Sequence, residues 1–198
     1  ELVHGERIIV EYFEPASIEN NGSFKISNVI HGYRSLNHIQ NDLVRGLNSS
    51  GDCNIDVNCP LGIGWDNEIR SVAMIVVGGN GICSGALVNN TCNDGTPYFL
   101  TANHCLGGST GSWAFRFNWQ SPLGTESCAT TSGSVDPGPP YDQTANGATT
   151  LVSSAASDFA LLEITNMTLS IAQNWNCFFA GWDASDLTNV TQATGIHH

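Results

Sequence analysis

Between Arg70 and Trp182, short runs rich in Val, Ile, Thr and aromatic residues recur, each closed by a cluster of Gly, Asn, Asp or Pro. Runs of this length and composition predict strands joined by tight turns, not helices. The predicted strands are Arg70–Val77, Ile82–Val88, Tyr98–Thr101, Trp113–Trp119, Ala148–Val152, Phe159–Ile164 and Cys177–Trp182. In the fourth, Trp113, Phe115, Phe117 and Trp119 alternate with Ala114, Arg116 and Asn118. A period of two puts four aromatics on one face, which is expected to pack a barrel interior sooner than line a ligand groove. The Pro-rich stretch from Asp136 to Asp142 reads as a surface loop. No repeat, heptad or long amphipathic helix accompanies these runs. The pattern predicts an all-β fold, a sandwich or barrel.

Composition narrows the function classes. The 198 residues carry a net charge of −12, which repels phosphate backbones and argues against nucleic-acid binding. No apolar run approaches the roughly 20 residues of a membrane-spanning helix. Seven cysteines occur, at 53, 59, 83, 92, 105, 128 and 177, and none forms a Cys-x-x-Cys pair. That spread argues against zinc ribbons and thioredoxin-type centres, and it fits a secreted, disulfide-stapled protein. An odd count leaves one cysteine free or bonded to a partner outside the chain.

Four of the six basic residues lie in residues 1–50 (Arg7, Lys25, Arg34 and Arg45). The turn-rich run Asn48–Asp52 separates this segment from a second part holding only Arg70 and Arg116. A domain boundary is therefore expected between 1–50 and 51–198. Within the first segment Arg7–Phe13 reads as a strand, Ser23–Arg34 as strand and turn, and Ser35–Leu47 has some helical spacing. Fifty residues seldom fold alone, so this short mixed segment is expected to pack on something. His31 and His38 have no acid or cysteine to complete a metal site and read as solvated positions. No metal or cofactor is expected.

The chemistry concentrates in Tyr98–Cys105, where an apolar strand ends in Thr101-Ala102 and delivers His104 with Cys105 directly after it. A general base must be held in one orientation, and a strand end beside a disulfide anchor does that. Upstream, Cys83 leads the strand Ser84–Val88 and could bridge to Cys105. Downstream, Asp158 opens the apolar strand Phe159–Ile164, a costly position for an acid unless a partner such as a histidine N–H meets it.

These three motifs resemble those of the trypsin-like (chymotrypsin-fold) serine peptidases. The surrounding sequence is most similar to the bacterial lysyl endopeptidase group, through Cys53–Pro60, Leu87–Thr91, Phe99–Ala102, Gly181–Asp183 and Ile196–His198. The 54-residue interval from His104 to Asp158 suits that fold; Asn103 replaces the small residue usual before the histidine. The resemblance implies that residues 51–198 are the first β-barrel of a two-barrel peptidase, secreted or at the surface of a bacterium. It implies that His104 is the general base and Asp158 its orienting carboxylate. It also implies bridges Cys59–Cys128 and Cys83–Cys105, with Cys53 reaching a cysteine in the second barrel. Cys92 and Cys177 have no assigned counterparts, and could pair with each other. Residues 1–50 then resemble the end of a pro-segment, with Arg45 a processing point.

One part of that family's machinery is missing from the sequence. No Gly-Asp-Ser-Gly-Gly or Gly-Ser-Ser-Gly-Ser segment supplies a nucleophile. Gly107–Gly111 fits Gly-x-Ser-x-Gly only formally, because it follows the histidine loop and does not link a strand to a helix. Ser84 sits inside a predicted strand. The expectation is a fragment or zymogen half of a serine endopeptidase acting on peptides or proteins, inactive alone, with the serine in an absent C-terminal barrel. The alternative is a non-catalytic module that keeps a peptidase fold to bind peptides or assemble surfaces.

Overall fold

The computed structural model describes residues 54–77, 81–124, 126, 128, 142–185 and 192–198. Residues 1–50, Cys53, His31, His38 and most of the Asp136–Asp142 loop lie outside these. Seven strands form one antiparallel sheet: β1 (Val72–Val77), β2 (Gly81–Val88), β3 (Tyr98–Thr101), β4 (Ala114–Phe117), β5 (Thr144–Asn146), β6 (Ala148–Ser154) and β7 (Phe159–Ile164), in the order β5-β4-β1-β2-β3-β7-β6. β5 and β6 stand at opposite ends of that order, yet only Gly147 separates them in sequence. The chain thus crosses from one sheet edge to the other through one residue, and the sheet curls until its ends meet. The Gly147 N–H bonds the Trp113 carbonyl at 2.8 Å, while its own carbonyl accepts from Thr165 N at 3.0 Å. The architecture is the all-β barrel expected for the first half of a trypsin-like peptidase.

Gly147 turns this corner at φ +76°, and a Cβ there would meet Thr165 Oγ1 at 2.9 Å and the Gly111 carbonyl at 3.1 Å. Gly147→Ala is therefore expected to cost about 1–3 kcal/mol through left-handed strain and crowding. Urea unfolding of the two chains checks this, and equal midpoints would show that the corner tolerates a side chain.

The interior is filled by alternate residues of the strands. In β7, Ala160, Leu162 and Ile164 point inward, and in β3, Phe99 does so. Phe99 meets Phe115 edge-on at 5.0 Å and Phe117 at 6.3 Å. Gly85 on the adjoining strand makes room for it, since a Cβ there would lie 2.3 Å from the Phe99 ring. Trp113, Phe115 and Phe117 are buried in the core, as a packed face requires, whereas Trp119, beyond the turn at Asn118, is buried outside that cluster and does not share their face. Ala114 and Arg116 on the opposite face are buried too, with the Arg116 guanidinium 5.3 Å from the Trp119 ring centre.

Several expectations need correction. The 113–119 run is a strand only over 114–117, because Asn118 turns to φ 49° and its amide donates to Gln143 Oε1 and the Trp175 carbonyl. β5 was not predicted. Residues 177–182 are not a strand: their ladder is a single parallel bridge between Ala180 and Val88, and Phe178 N instead meets the Arg70 carbonyl. Two short helices also form, α1 (Asp66–Ile69) and α2 (Leu169–Asn174), the latter capped by the Thr168 hydroxyl accepting from Ile171 N. The bridges Cys59–Cys128 and Cys83–Cys105 are present, as the resemblance implies. Cys92 and Cys177 are not paired with each other. Cys92 is exposed on the loop after β2, whereas Cys177 packs against the core, where burial pushes its thiol up to about 12.

Candidate active site

β3 carries the chain toward the site and is fixed at its end. The Thr101 hydroxyl donates to the Ser84 carbonyl of β2 at 2.8 Å. A single 3-10 turn over Asn103–Cys105 follows, and the Cys83–Cys105 bridge ties that turn to β2. β3 pairs antiparallel with β7 in the register Thr101 to Ala160, so the turn after β3 lies beside the residue before β7. That residue is Asp158, which ends the β6–β7 turn at φ 50°. A non-glycine residue in this region is uncommon, and such strain concentrates at functional sites.

The two side chains meet. Asp158 Oδ1 accepts the backbone N–H of His104 at 2.9 Å, and Oδ2 lies 2.7 Å from His104 Nδ1. An ionised carboxylate only accepts, so Nδ1 carries the ring proton and Nε2 presents a bare lone pair. Two donors from one residue also fix the ring's position relative to its own backbone. The His104 side chain is 71% exposed and that of Asp158 52%.

The ring N–H of His104, and then its backbone N–H, hold the Asp158 carboxyl below its usual 3.8. A depressed folded value means that the pairing supports the fold above the ordinary carboxylate range and is lost as pH falls through the folded value. Carboxyl ¹³C NMR should therefore give Asp158 a midpoint below 3.8. A midpoint at or above it would mean that the contact does not persist in solution.

Among the described residues, Ser84, Ser109 and the two nearby sulfurs do not add to this pair. Cys83, His104 and Cys105 present ligand atoms within 4.8 Å of one another, but the two sulfurs are bonded together and offer no thiolate to a metal. Ser109 is exposed in a loop that leads into a 3-10 turn, not a strand-to-helix elbow. The Ser84 hydroxyl instead accepts the backbone N–H of His198 at 2.7 Å. Among the described residues, neither hydroxyl is bonded to His104.

The family model for the lysyl endopeptidase C-terminal domain matches residues 47–198. The chain belongs to the lysyl endopeptidase family. It is also 25% identical over 205 residues to a lysyl endopeptidase of Pseudomonas aeruginosa, an alignment covering 100% of this chain and 42% of that protein. The chain thus spans well under half the length of the curated relative it matches. Within this family member, sequence reasoning identified His104 and Asp158 but not the His104 backbone N–H as a second donor to the carboxylate, nor the Thr101 clasp. Backbone donors leave no signal in residue types. A threonine closing a buried strand is too common to stand out.

Proposed function

We propose that this chain supplies the general base and orienting carboxylate of a secreted serine endopeptidase whose nucleophilic serine lies outside residues 1–198. The observation that carries the reading is the double hydrogen bond from His104 to Asp158, which leaves Nε2 free to accept a proton. A serine hydroxyl brought to Nε2 gives up its proton as its oxygen attacks the peptide carbonyl. The imidazolium then delivers that proton to the leaving amine, and water repeats the cycle on the acyl-enzyme. Asp158 stays ionised throughout, stabilising the imidazolium and holding the tautomer. The open face of His104 leaves room for the part of the protein that carries the serine.

The relative's name supports cleavage after lysine as the specificity of the complete protein. Residues 1–50 are read as a pro-segment, removed near Arg45, and Cys53 as the link to the remaining barrel. Secretion accords with the disulfides and the acidic, cysteine-bearing composition. Among the described residues no helix is long and apolar enough to cross a membrane.

Rates of the complete protein on matched peptides with Lys, Arg or Glu before the scissile bond test this reading. Fastest turnover after Lys is expected. Absence of turnover on all three would favour the binding module. Residues 1–198 alone are expected to hydrolyse none of them.

A further inference from the structure

We propose that reduction of the Cys83–Cys105 bridge turns its two sulfurs and His104 into a zinc site, which takes the imidazole out of service until the bridge forms again. The metal site stands on the geometry alone; its effect on turnover rests on the general-base role proposed above. Cys83, His104 and Cys105 each present a ligand atom, all within 4.8 Å of one another. Two thiolates and an imidazole around a tetrahedral zinc stand about 3.5–3.8 Å apart, given bonds of about 2.3 Å to sulfur and about 2.0 Å to nitrogen. Once the sulfurs are no longer bonded, small side-chain rotations reach that spacing. Cys2His is a donor set that zinc favours, and the fourth position stays open to water. The Asp158 carboxylate, 2.7 Å from His104 Nδ1, adds negative charge beside the cation.

The backbone keeps the two cysteines together without their bond. Cys83 stands opposite Ile75 in the β1–β2 ladder, and β2 pairs with β3 through Ala86–Leu100 and Leu87–Phe99. The buried Thr101 hydroxyl donates to the Ser84 carbonyl at 2.8 Å, tying the residue after Cys83 to the strand end that leads to Cys105. The Cys105 N–H bonds the Ala102 carbonyl in the turn that follows. A ladder and a turn thus hold the two Cα atoms at their 6.3 Å separation. Cys105 is buried and the His104 side chain 71% exposed, so a metal enters from the histidine side.

The electrons balance with a dithiol as reductant. It gives up two electrons and two protons and closes to its own cyclic disulfide, while Cys83 and Cys105 become thiols. Zinc then displaces both thiol protons to solvent, and a ring nitrogen of His104 completes the set. Coordination at Nε2 occupies the lone pair that accepts the serine proton; at Nδ1 it breaks the bond to Asp158. Either way the general base is lost. Exchange with an oxidised dithiol rebuilds the bridge, removes both thiolates and frees the ring.

Zinc titration of residues 1–198, oxidised and after reduction by a dithiol that is then removed without air, tests this through the ¹⁵N signals of the His104 ring. One equivalent of zinc should shift a ring nitrogen in the reduced chain and neither in the oxidised one. A reduced chain carrying both Cys83→Ser and Cys105→Ser should lose at least about tenfold in affinity at this site. No shift in the reduced chain, the same shift in both redox states, or a shift that survives loss of both cysteines would overturn the proposal. So would a chain that unfolds on reduction, by its amide spectrum, and is not refolded by zinc. In the complete protein zinc should abolish turnover of a lysyl peptide only after reduction, and a chelator should restore it. Zinc bound to His104 with turnover unchanged would keep the metal site and overturn the general-base role.

Discussion

His104→Ala in the complete protein is expected to lower kcat several thousandfold or more, with KM changed far less. In the proposed mechanism the imidazole acts on the proton in flight, so its loss removes transition-state stabilisation while leaving ground-state substrate contacts alone. Asp158→Asn should be nearly as severe, about 10⁴-fold, although the carboxamide keeps the shape of the site. The amide can turn its NH₂ toward His104 and hold the ring with its proton on Nε2, the nitrogen that must be bare. Steady-state kinetics on a lysyl peptide reads both. A His104→Ala protein with near wild-type kcat would remove His104 from the mechanism.

The second large effect falls on the core. Phe99→Ala is expected to cost about 3–5 kcal/mol, measured as a fall in the urea midpoint at unchanged slope. Phe99 is fully buried, touches Phe115 and Phe117 edge-on, and fills the space that Gly85 leaves open. Removing the ring leaves a cavity between Gly85 and these two aromatics, and that cavity adds to the lost transfer energy. Phe99 also lies on the strand that delivers His104, so loosening it frees the turn on which the imidazole sits. A destabilisation below about 1 kcal/mol would mean that the neighbouring rings move in to fill the gap.

The strands that were legible in the sequence are those whose pattern and punctuation agree. β3 and β7 have the predicted bounds because each is a short, mainly apolar run closed by turn-forming residues, Thr96-Pro97 before β3 and Ser157-Asp158 before β7. The 177–182 segment has the same composition but meets neighbouring backbone at only one ladder position, and residue type does not report the presence of a partner strand. β5 has three residues and α2 six, too few for any period to show. At the site, the residue types and order of His104 and Asp158 were legible, and the structure brings them within 2.7 Å. What was not legible is how Asp158 gets there. It adopts a left-handed backbone at the end of the β6–β7 turn, a conformation the aspartate codon does not announce. Likewise, a Cys92–Cys177 bridge was left open by counting alone, and counting is blind to one thiol facing solvent while the other packs against the core.

The most direct measurement is mass mapping after treatment with a serine-directed peptidyl phosphonate carrying lysine at the reactive end, applied to residues 1–198, to the complete protein and to its His104→Ala form. The account predicts no adduct on residues 1–198, one adduct on the complete protein at a serine outside this segment, and loss of that adduct in His104→Ala. An adduct on Ser84, Ser109 or any other serine within 1–198, or labelling of the complete protein that does not depend on His104, would contradict it.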